Sequence, residues 1–273
     1  MSLFGELQFG HSRAVSDDED DEYSQLEQDQ NLKKKIYWLE NIENKVEVDE
    51  LILADGPIPC AFLYVYLLNH LGDSDKRLLG LTATNSEFKV YQNEDKTDSS
   101  LNKLRKNFIY QVTLNGKSYL ICEIFTQLKS NEFYDWLDQL WEKFEFKSSI
   151  ILSSQNKTSY FSSDSESFPC VKFLSSNKNF KNTEIHCKRL EEPNFLQDLP
   201  AALIQFCMLK KLEFTAFVCY SPSLNIDIQS VKETFNGVSC LLKDNSIFTD
   251  NDLSKKTLLT VGNLVNSVSS LYM

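Results

Sequence analysis

His11, His70, His186, seven cysteines, Asp55 and Asp198 are the residues from which this 273-residue chain could build a reactive centre. The histidines fall far apart. His11 sits in a polar acidic stretch, His70 at an expected helix end and His186 in a polar strand or loop. A histidine with no second reactive group at a useful spacing reads as structural or solvent-facing. The cysteines, at 60, 122, 170, 187, 207, 219 and 240, form no Cys-x-x-Cys pair and no Cys/His set with zinc spacing. Several lie inside apolar runs, so they read as reduced core thiols. Asp55-Gly56 follows a first strand, where an α/β enzyme places a substrate loop; an ordinary turn is the simpler reading. Asp198 could serve as a catalytic carboxylate, but capping the helix that follows already accounts for it. No Gly-rich phosphate cradle, Gly-x-Ser-x-Gly elbow or His-Glu-x-x-His motif occurs. We therefore expect no catalytic residue, no metal site and no cofactor. Asn156-Lys157-Thr158 matches a glycosylation sequon and is read as a chance match.

The elements that must position these groups centre on residues 189–220. Pro193 and Asn194 are turn residues. Asp198 should cap a helix with Pro200 in its first turn, where the free N–H groups lack partners anyway. Ala201, Ala202, Leu203, Ile204, Phe206, Cys207 and Leu209 are apolar nearly all round, which predicts burial on more than one side. Lys210 and Lys211 suit the carbonyl end of the helix dipole. Phe214–Tyr220 is a continuous apolar run that fits a strand covered on both faces.

Upstream, Val48–Ala54 predicts a strand and Ala61–Leu71 a helix. Leu78–Thr84 and Phe88–Tyr91 predict short strands. Asn93–Lys106 is charged and reads as loop or exposed helix. Phe108–Leu114, Asn115-Gly116 and Ser118–Phe125 predict a hairpin, the strongest local signal in the chain. Glu132–Phe144 predicts an amphipathic helix with an aromatic face, Ser149–Ser153 a buried strand, and Gln155–Glu166 a mobile Ser-rich loop. Downstream, Ile228–Phe235 predicts a helix stopped by Asn236-Gly237, and Val238–Leu242 is apolar but of uncertain type. Asp252–Ser269 predicts a last helix with Leu258, Leu259, Val261, Val265 and Val268 inward and Gly262 a weak point. Helices alternating with buried strands, plus a hairpin, predict a single α/β domain: a mixed sheet with helices on both faces.

Composition bounds the function. Nine acids against Arg13 make residues 1–30 strongly negative, while the remainder contributes −3 of the net −11. We expect residues 1–32 to form a disordered acidic tail, 33–265 the α/β domain and 266–273 a flexible C-terminal tail. A near-neutral domain offers no basic surface for nucleic acid. The longest apolar run, Cys60–Leu68, is too short to span a bilayer. The N-terminal residues carry no charged-then-apolar leader.

The central stretch also carries a likeness. Leu190, Glu191, Pro193, Asn194, Asp198, Leu199, Pro200, Ala201 and Ala202, then Cys219 and Tyr220, resemble the matching segment of the proteasome assembly chaperone 1 family, the first subunit of the eukaryotic 20S chaperone heterodimer. Phe4, Gly5 and Glu6 ahead of the acidic run agree with it. So does the ending Leu271-Tyr272-Met273, a hydrophobic–Tyr–any-residue motif that the family uses to dock on the proteasome. Such an end suits docking: a carboxylate can pair with a lysine, and the ring adds area and a hydroxyl. The resemblance implies a three-layer α/β fold and a non-enzymatic chaperone. It also implies a related subunit as heterodimer partner, and 20S α-subunits as clients whose ring it helps close while blocking wrong ring association. The expected location is cytoplasmic, with endoplasmic-reticulum-associated or nuclear pools also in keeping with the family. Two rivals stand beside it: an α/β enzyme acting on nucleosides or esters, and a generic adaptor working through the acidic tail.

Overall fold

The structure, a computed structural model, describes residues 33–72, 74–93, 106–162, 165–177, 187–241 and 247–270, with side chains left out at 240–241 and 263–270. The acidic tail, most of the charged stretch after Asn93, His186 and Leu271–Met273 lie outside the described residues.

Alternating burial in the central strand dictates the layering. In β2 (Val46–Asp55), Leu51 and Leu53 face one apolar cluster and Ile52 and Ala54 the other, all fully buried. A strand apolar on both sides has to be covered on both sides. Its neighbours are β5 (Lys117–Ile124) and β6 (Phe144–Asn156), both parallel to it. The full sheet has nine strands in the order β1-β3-β4-β5-β2-β6-β9-β7-β8. The others are β1 (Lys35–Trp38), β3 (Lys76–Ala83), β4 (Phe108–Leu114), β7 (Cys170–Ser175), β8 (Lys188–Arg189) and β9 (Glu213–Ser221). Parallel pairing runs from β5 to β9 through β2 and β6, and the flanking β1-β3-β4-β5 and β9-β7 pairs are antiparallel.

One face carries α1 (Pro57–Tyr66), α5 (Ile228–Leu241) and α6 (Asp252–Ser270). The other carries α3 (Phe133–Lys143) and α4 (Asp198–Lys210). The three-layer mixed α/β domain expected from the sequence is present. The β4–β5 hairpin turns on Asn115 and Gly116 with φ of 51° and 76°, the left-handed pair that such a two-residue turn requires. In α3, Trp136 is fully buried and its indole donates to Thr82 Oγ1 at 2.9 Å.

Several expectations are corrected. Phe88–Tyr91 belongs to a helix, α2 (Asn85–Asn93), not a strand; Phe88 stacks on Tyr37 at 4.0 Å, so tertiary contact outweighs local β preference. α5 does not stop at Asn236-Gly237 but runs to Leu241. A Cβ at Gly237 would lie 2.7 Å from Val171 Cγ1, so this glycine serves close helix–sheet approach. At Gly262 the same geometry faces Ile228 Cδ1 at 2.6 Å. Leu259 points outward, while Leu258 and Val261 are buried. The α6 backbone is helical through Ser270, which places residue 266, the expected start of a flexible tail, inside the helix. β7 and β8 had no counterpart in the sequence reading. The cysteines at 60, 122, 170, 207 and 219 are free thiols, and these and Cys187 are all buried. His70 is structural: its Nε2 lies 3.1 Å from Val65 O and 2.8 Å from Ser254 Oγ, joining the end of α1 to the start of α6.

Candidate functional site

The segment singled out in the sequence forms one continuous unit: a pinned loop, helix α4 and strand β9. Leu190 donates its N–H to Phe173 O at 2.7 Å, fixing the loop's entry against β7. Pro193 follows a cis peptide bond. Asn194 is the fastener. Its Nδ2 donates to Phe161 O (2.7 Å) and Glu191 O (2.9 Å), and its Oδ1 accepts from Phe161 N (2.7 Å). The 155–162 stretch, expected to be mobile, is therefore tied down; Asn156 Oδ1 also accepts from Thr158 N at 3.0 Å in a short turn.

Beneath this loop lies a polar cluster that sequence reasoning missed. Lys172 on β7 is 2% exposed, yet its Nζ reaches Glu166 Oε1 at 2.7 Å and sits 5.2 Å above the Tyr160 ring. Burial opposes its charge, but hydrogen bonds with Glu166 and Tyr160 hold it above the usual lysine range. Glu166 is held below the usual carboxylate range, first by its bond to Lys172. The Tyr160 hydroxyl donates to Glu191, which lowers that exposed carboxylate too. Tyr220 is fully buried with its ring 4.6 Å from Tyr160, and its hydroxyl has no partner among the described residues. Cys219 is buried, its Sγ 3.8 Å from Ser230 O. A shallow cavity of about 360 Å³, lined by Lys157, Thr158, Tyr160, Ser162, Glu166 and Phe168, opens beside the cluster. The lysine inside an otherwise apolar run, Cys170–Leu174, was the one signal that could have revealed it.

In α4, Leu199, Pro200 and Ala202 are buried and Ala201 is half-buried. Asp198 is not the cap that was expected. Gln197 occupies the N-cap position with no side-chain capping bond, and Asp198 is the first helical residue, at φ 56°. The helix is also not buried all round: Met208 and Leu209 are 65% and 78% exposed, and Gln205 is exposed beside the Tyr134 hydroxyl that donates to it. The underside meets α3, where Trp141 packs edge-on against Phe206 at 5.4 Å.

Two further carboxylates lie at or near the ends of the parallel strands. Desolvation, and secondarily the charge of Asp198, raises half-buried Asp55 to about 7. Desolvation raises buried Glu123 to about 8, against the pull of Lys76. Gly56, at φ 98°, starts α1 by donating to Ile124 O at 2.8 Å and accepting from Cys60 N at 3.1 Å. Asp55 is the last residue of β2 and Glu123 pairs with Ala54 from β5, so both lie within the packed sheet, where burial favours the protonated form; Asp55-Gly56 is the helix start itself. Among the described residues no group of three or more His, Cys, Asp or Glu is placed to hold a metal ion, and no helix is long and apolar enough to cross a membrane.

Segment 189–221 thus sits in a three-layer α/β scaffold as a pinned loop, a helix and a buried strand. The fold is shared by two Pyrococcus furiosus structures. One is PbaB, an archaeal proteasome activator, with a TM-score of 0.54, 13% identity, and coverage of 87% of this chain and 99% of that one. The other is PbaA, an archaeal homologue of proteasome-assembly chaperone, with a TM-score of 0.53, 12% identity, and coverage of 88% and 94%. Likeness at such identity establishes the fold alone.

The family is established by sequence. A PAC1 family model, described as proteasome assembly chaperone 4, matches residues 1–273. Relatives named proteasome assembly chaperone 1 include that of Bos taurus, 28% identical over 156 residues, 54% of this chain and 53% of the relative. That of Danio rerio is 23% identical over 288 residues, 99% of each. That of Nematostella vectensis is 24% identical over 192 residues, 68% of this chain and 71% of the relative. The match to the bovine relative thus spans about half of its length. The chain belongs to the proteasome assembly chaperone 1 family; the numeral in the family's description differs from that in the relatives' names, and proteasome assembly chaperone is common to both.

Proposed function

We propose that this protein is a proteasome assembly chaperone subunit that works in a heterodimer with a related subunit. The pair binds α-subunits of the 20S proteasome in the cytoplasm, promotes closure of the α-ring and blocks off-pathway ring association. The observation that carries this reading is the family match across residues 1–273, which spans the pinned segment as well as both ends of the chain. The docking element is Leu271-Tyr272-Met273, in which Leu271 supplies an apolar contact and Tyr272 a ring with a hydrogen-bonding tip. Two weak arms on one rigid heterodimer combine through effective concentration, so neither has to bind tightly alone.

The test is affinity capture of the tagged full chain followed by mass spectrometry. Co-purified α-subunits and a related chaperone subunit, without mature β-subunits, are the expected result. Capture of neither α-subunits nor a related chaperone would refute the assembly role. Deleting Leu271–Met273 should leave the partner bound while α-ring binding falls at least about tenfold, equivalent to 1.4 kcal/mol. Binding at wild-type strength would remove the tripeptide from the mechanism.

A further inference from the structure

Helix α2 lies on the sheet with none of its side chains fully buried, and a cavity of about 310 Å³ opens beside it at the end of β3. Its lining is mainly apolar, with Leu81 and Ala83 from β3 and Val90 and Tyr91 from α2. Val90 is 58% exposed although it lines the cavity, so the mouth is open. The polar side is rigid. Asn107 is 3% exposed; its Nδ2 donates to Thr126 Oγ1 at 2.8 Å and to Thr82 O at 3.2 Å, and its Oδ1 accepts from Thr126 N at 2.9 Å. A preformed apolar cavity with a few fixed polar groups is the usual form of a binding site.

The place where the chain enters the domain says what fills it. The described chain begins at Lys33, and the next residue already grips the cavity's lining. Lys34 Nζ donates to Thr126 Oγ1 at 2.7 Å and to Thr126 O and Gln127 O at 3.2 Å. Glu132 Oε1 accepts from Lys34 N at 3.0 Å, so the backbone is held as well. Residues 1–32 are thus joined to the domain at the rim of this cavity. They carry six consecutive acids, Asp17–Glu22, followed at once by Tyr23. Tyr23 stands ten positions before Lys33, a reach of at most about 35 Å, ample for a chain that doubles back onto a cavity beside its own anchor.

The rim matches this segment in charge. Lys34 touches the lining, Lys106 Nζ lies 5.2 Å above the Tyr91 ring, and Lys35 stands opposite Ala83 across β1 and β3. The carboxylates nearby are committed to backbone N–H groups: Glu87 to Thr84, and Glu132 to Lys34 and Lys129. The acidic run suits the ammonium groups, and the aromatic side chain after it suits the apolar space against Val90 and Tyr91. We propose that this cavity is the intramolecular docking site of the chain's own acidic segment, residues 17–26, with Tyr23 as the inserted side chain. The short tether gives an effective concentration in the millimolar range, so a weak contact suffices, and salt shifts the balance towards release. A binding partner that claims either the acids or the cavity would free the segment. The inference stands apart from the proposed assembly role.

Photocrosslinking of the full chain tests it. With p-benzoylphenylalanine placed at position 23, irradiation at low protein concentration should attach that position within the same molecule to residues 81–91, 106–107 or 126, as mapped by peptide mass spectrometry. Val90→Asp puts an acid in the mouth at an exposed position, so an unchanged melting midpoint shows intact folding. It should cut the yield about fivefold, the factor for one like-charge contact in water, and Lys106→Glu should act in the same direction. Without the probe, chymotrypsin should cut after Tyr23 more slowly in wild type than in Val90→Asp, and the difference should fade in 0.5 M salt. Attachment scattered over the surface, attachment only between molecules, or none at the cavity because other residues of the chain or nothing at all fills it overturns the proposal. So does cleavage after Tyr23 at one rate in both proteins.

Discussion

Replacing Gly237 with alanine sets two forces of known sign against each other. In an isolated helix the change stabilises, by about 1 kcal/mol, because glycine loses more backbone freedom on folding. In this protein the new methyl would lie 2.7 Å from Val171 Cγ1 and 2.8 Å from Val171 Cβ. Ordinary contact begins near 3.5 Å, so helix and strand must part by most of an ångström. Val171 cannot yield easily. It is β-branched, 3% exposed, and sits on β7, which is paired with β9 over six residues. Overpacking costs about 1–3 kcal/mol, and a clash under 3.0 Å with two atoms of a side chain that cannot yield falls at the upper end, about 2–3 kcal/mol. The net expectation is a loss of about 1–2 kcal/mol, seen as a fall of roughly 3–6 °C in melting midpoint. Urea unfolding should show a lower midpoint at unchanged slope, which assigns the effect to the native state. Gly262→Ala is the internal control, because the methyl there meets Cδ1 and Cγ1 of Ile228, one unbranched arm that can swing aside, and should be nearer to neutral than Gly237→Ala. A Gly237→Ala protein as stable as wild type, or more so, would refute the close-approach argument and return Gly237 to the role of a mere helix weakener.

Asp55→Asn should change how stability depends on pH. A carboxyl whose folded pKa is raised from 3.8 to about 7 contributes fully below pH 4, and that contribution is lost as pH climbs through 7. The full shift is worth about 4 kcal/mol, which residual solvent access reduces to roughly 2 kcal/mol. The variant should therefore gain stability at pH 8 and show a flatter profile between pH 4 and 7, as measured by urea unfolding at each pH; a profile parallel to wild type counts against a buried acid. Glu166→Gln strands the buried ammonium of Lys172 and should cost about 2–4 kcal/mol. Lys172→Met should cost less, because Glu166 keeps Lys188 at 3.4 Å; equal losses in chemical denaturation would contradict this.

The parts legible in the sequence were those where local pattern and tertiary demand agree. The β4–β5 hairpin was readable because Asn115-Gly116 is flanked by alternating apolar residues, and α3 because Trp136, Leu137 and Leu140 recur at helical spacing. Other parts depend on what approaches from elsewhere in the chain. Phe88 becomes helical against Tyr37, and Gly237 looks like a stop until Val171 lies across it. β7 escaped notice because Lys172 and Ser175 interrupt its apolar run, and their hydrogen bonds to Glu166 and Phe214 O are invisible in one dimension. In α4, count alone suggested burial all round; which flank is covered depends on the sheet and on α3, whose Trp141 packs against Phe206. Of the candidate site, Asn194 was seen as a turn residue, but its grip on Phe161, 33 positions away, could not be.

The free thiols make the protein its own clock. Cys60, Cys122, Cys170, Cys207 and Cys219 are spread over both layers and all lie buried. Desolvation pushes Cys219 up to about 12 and Cys170 to about 11, so the reactive thiolate is scarce in the native state. An alkylating reagent therefore modifies them when the surrounding structure opens. With opening and closing faster than modification, the rate at each position reports the free energy of the event that bares it. Mass-resolved labelling would then separate the opening of the α1 layer, through Cys60, from that of the α4 layer, through Cys207. Rates measured with and without a bound partner would show which layer the partner holds shut.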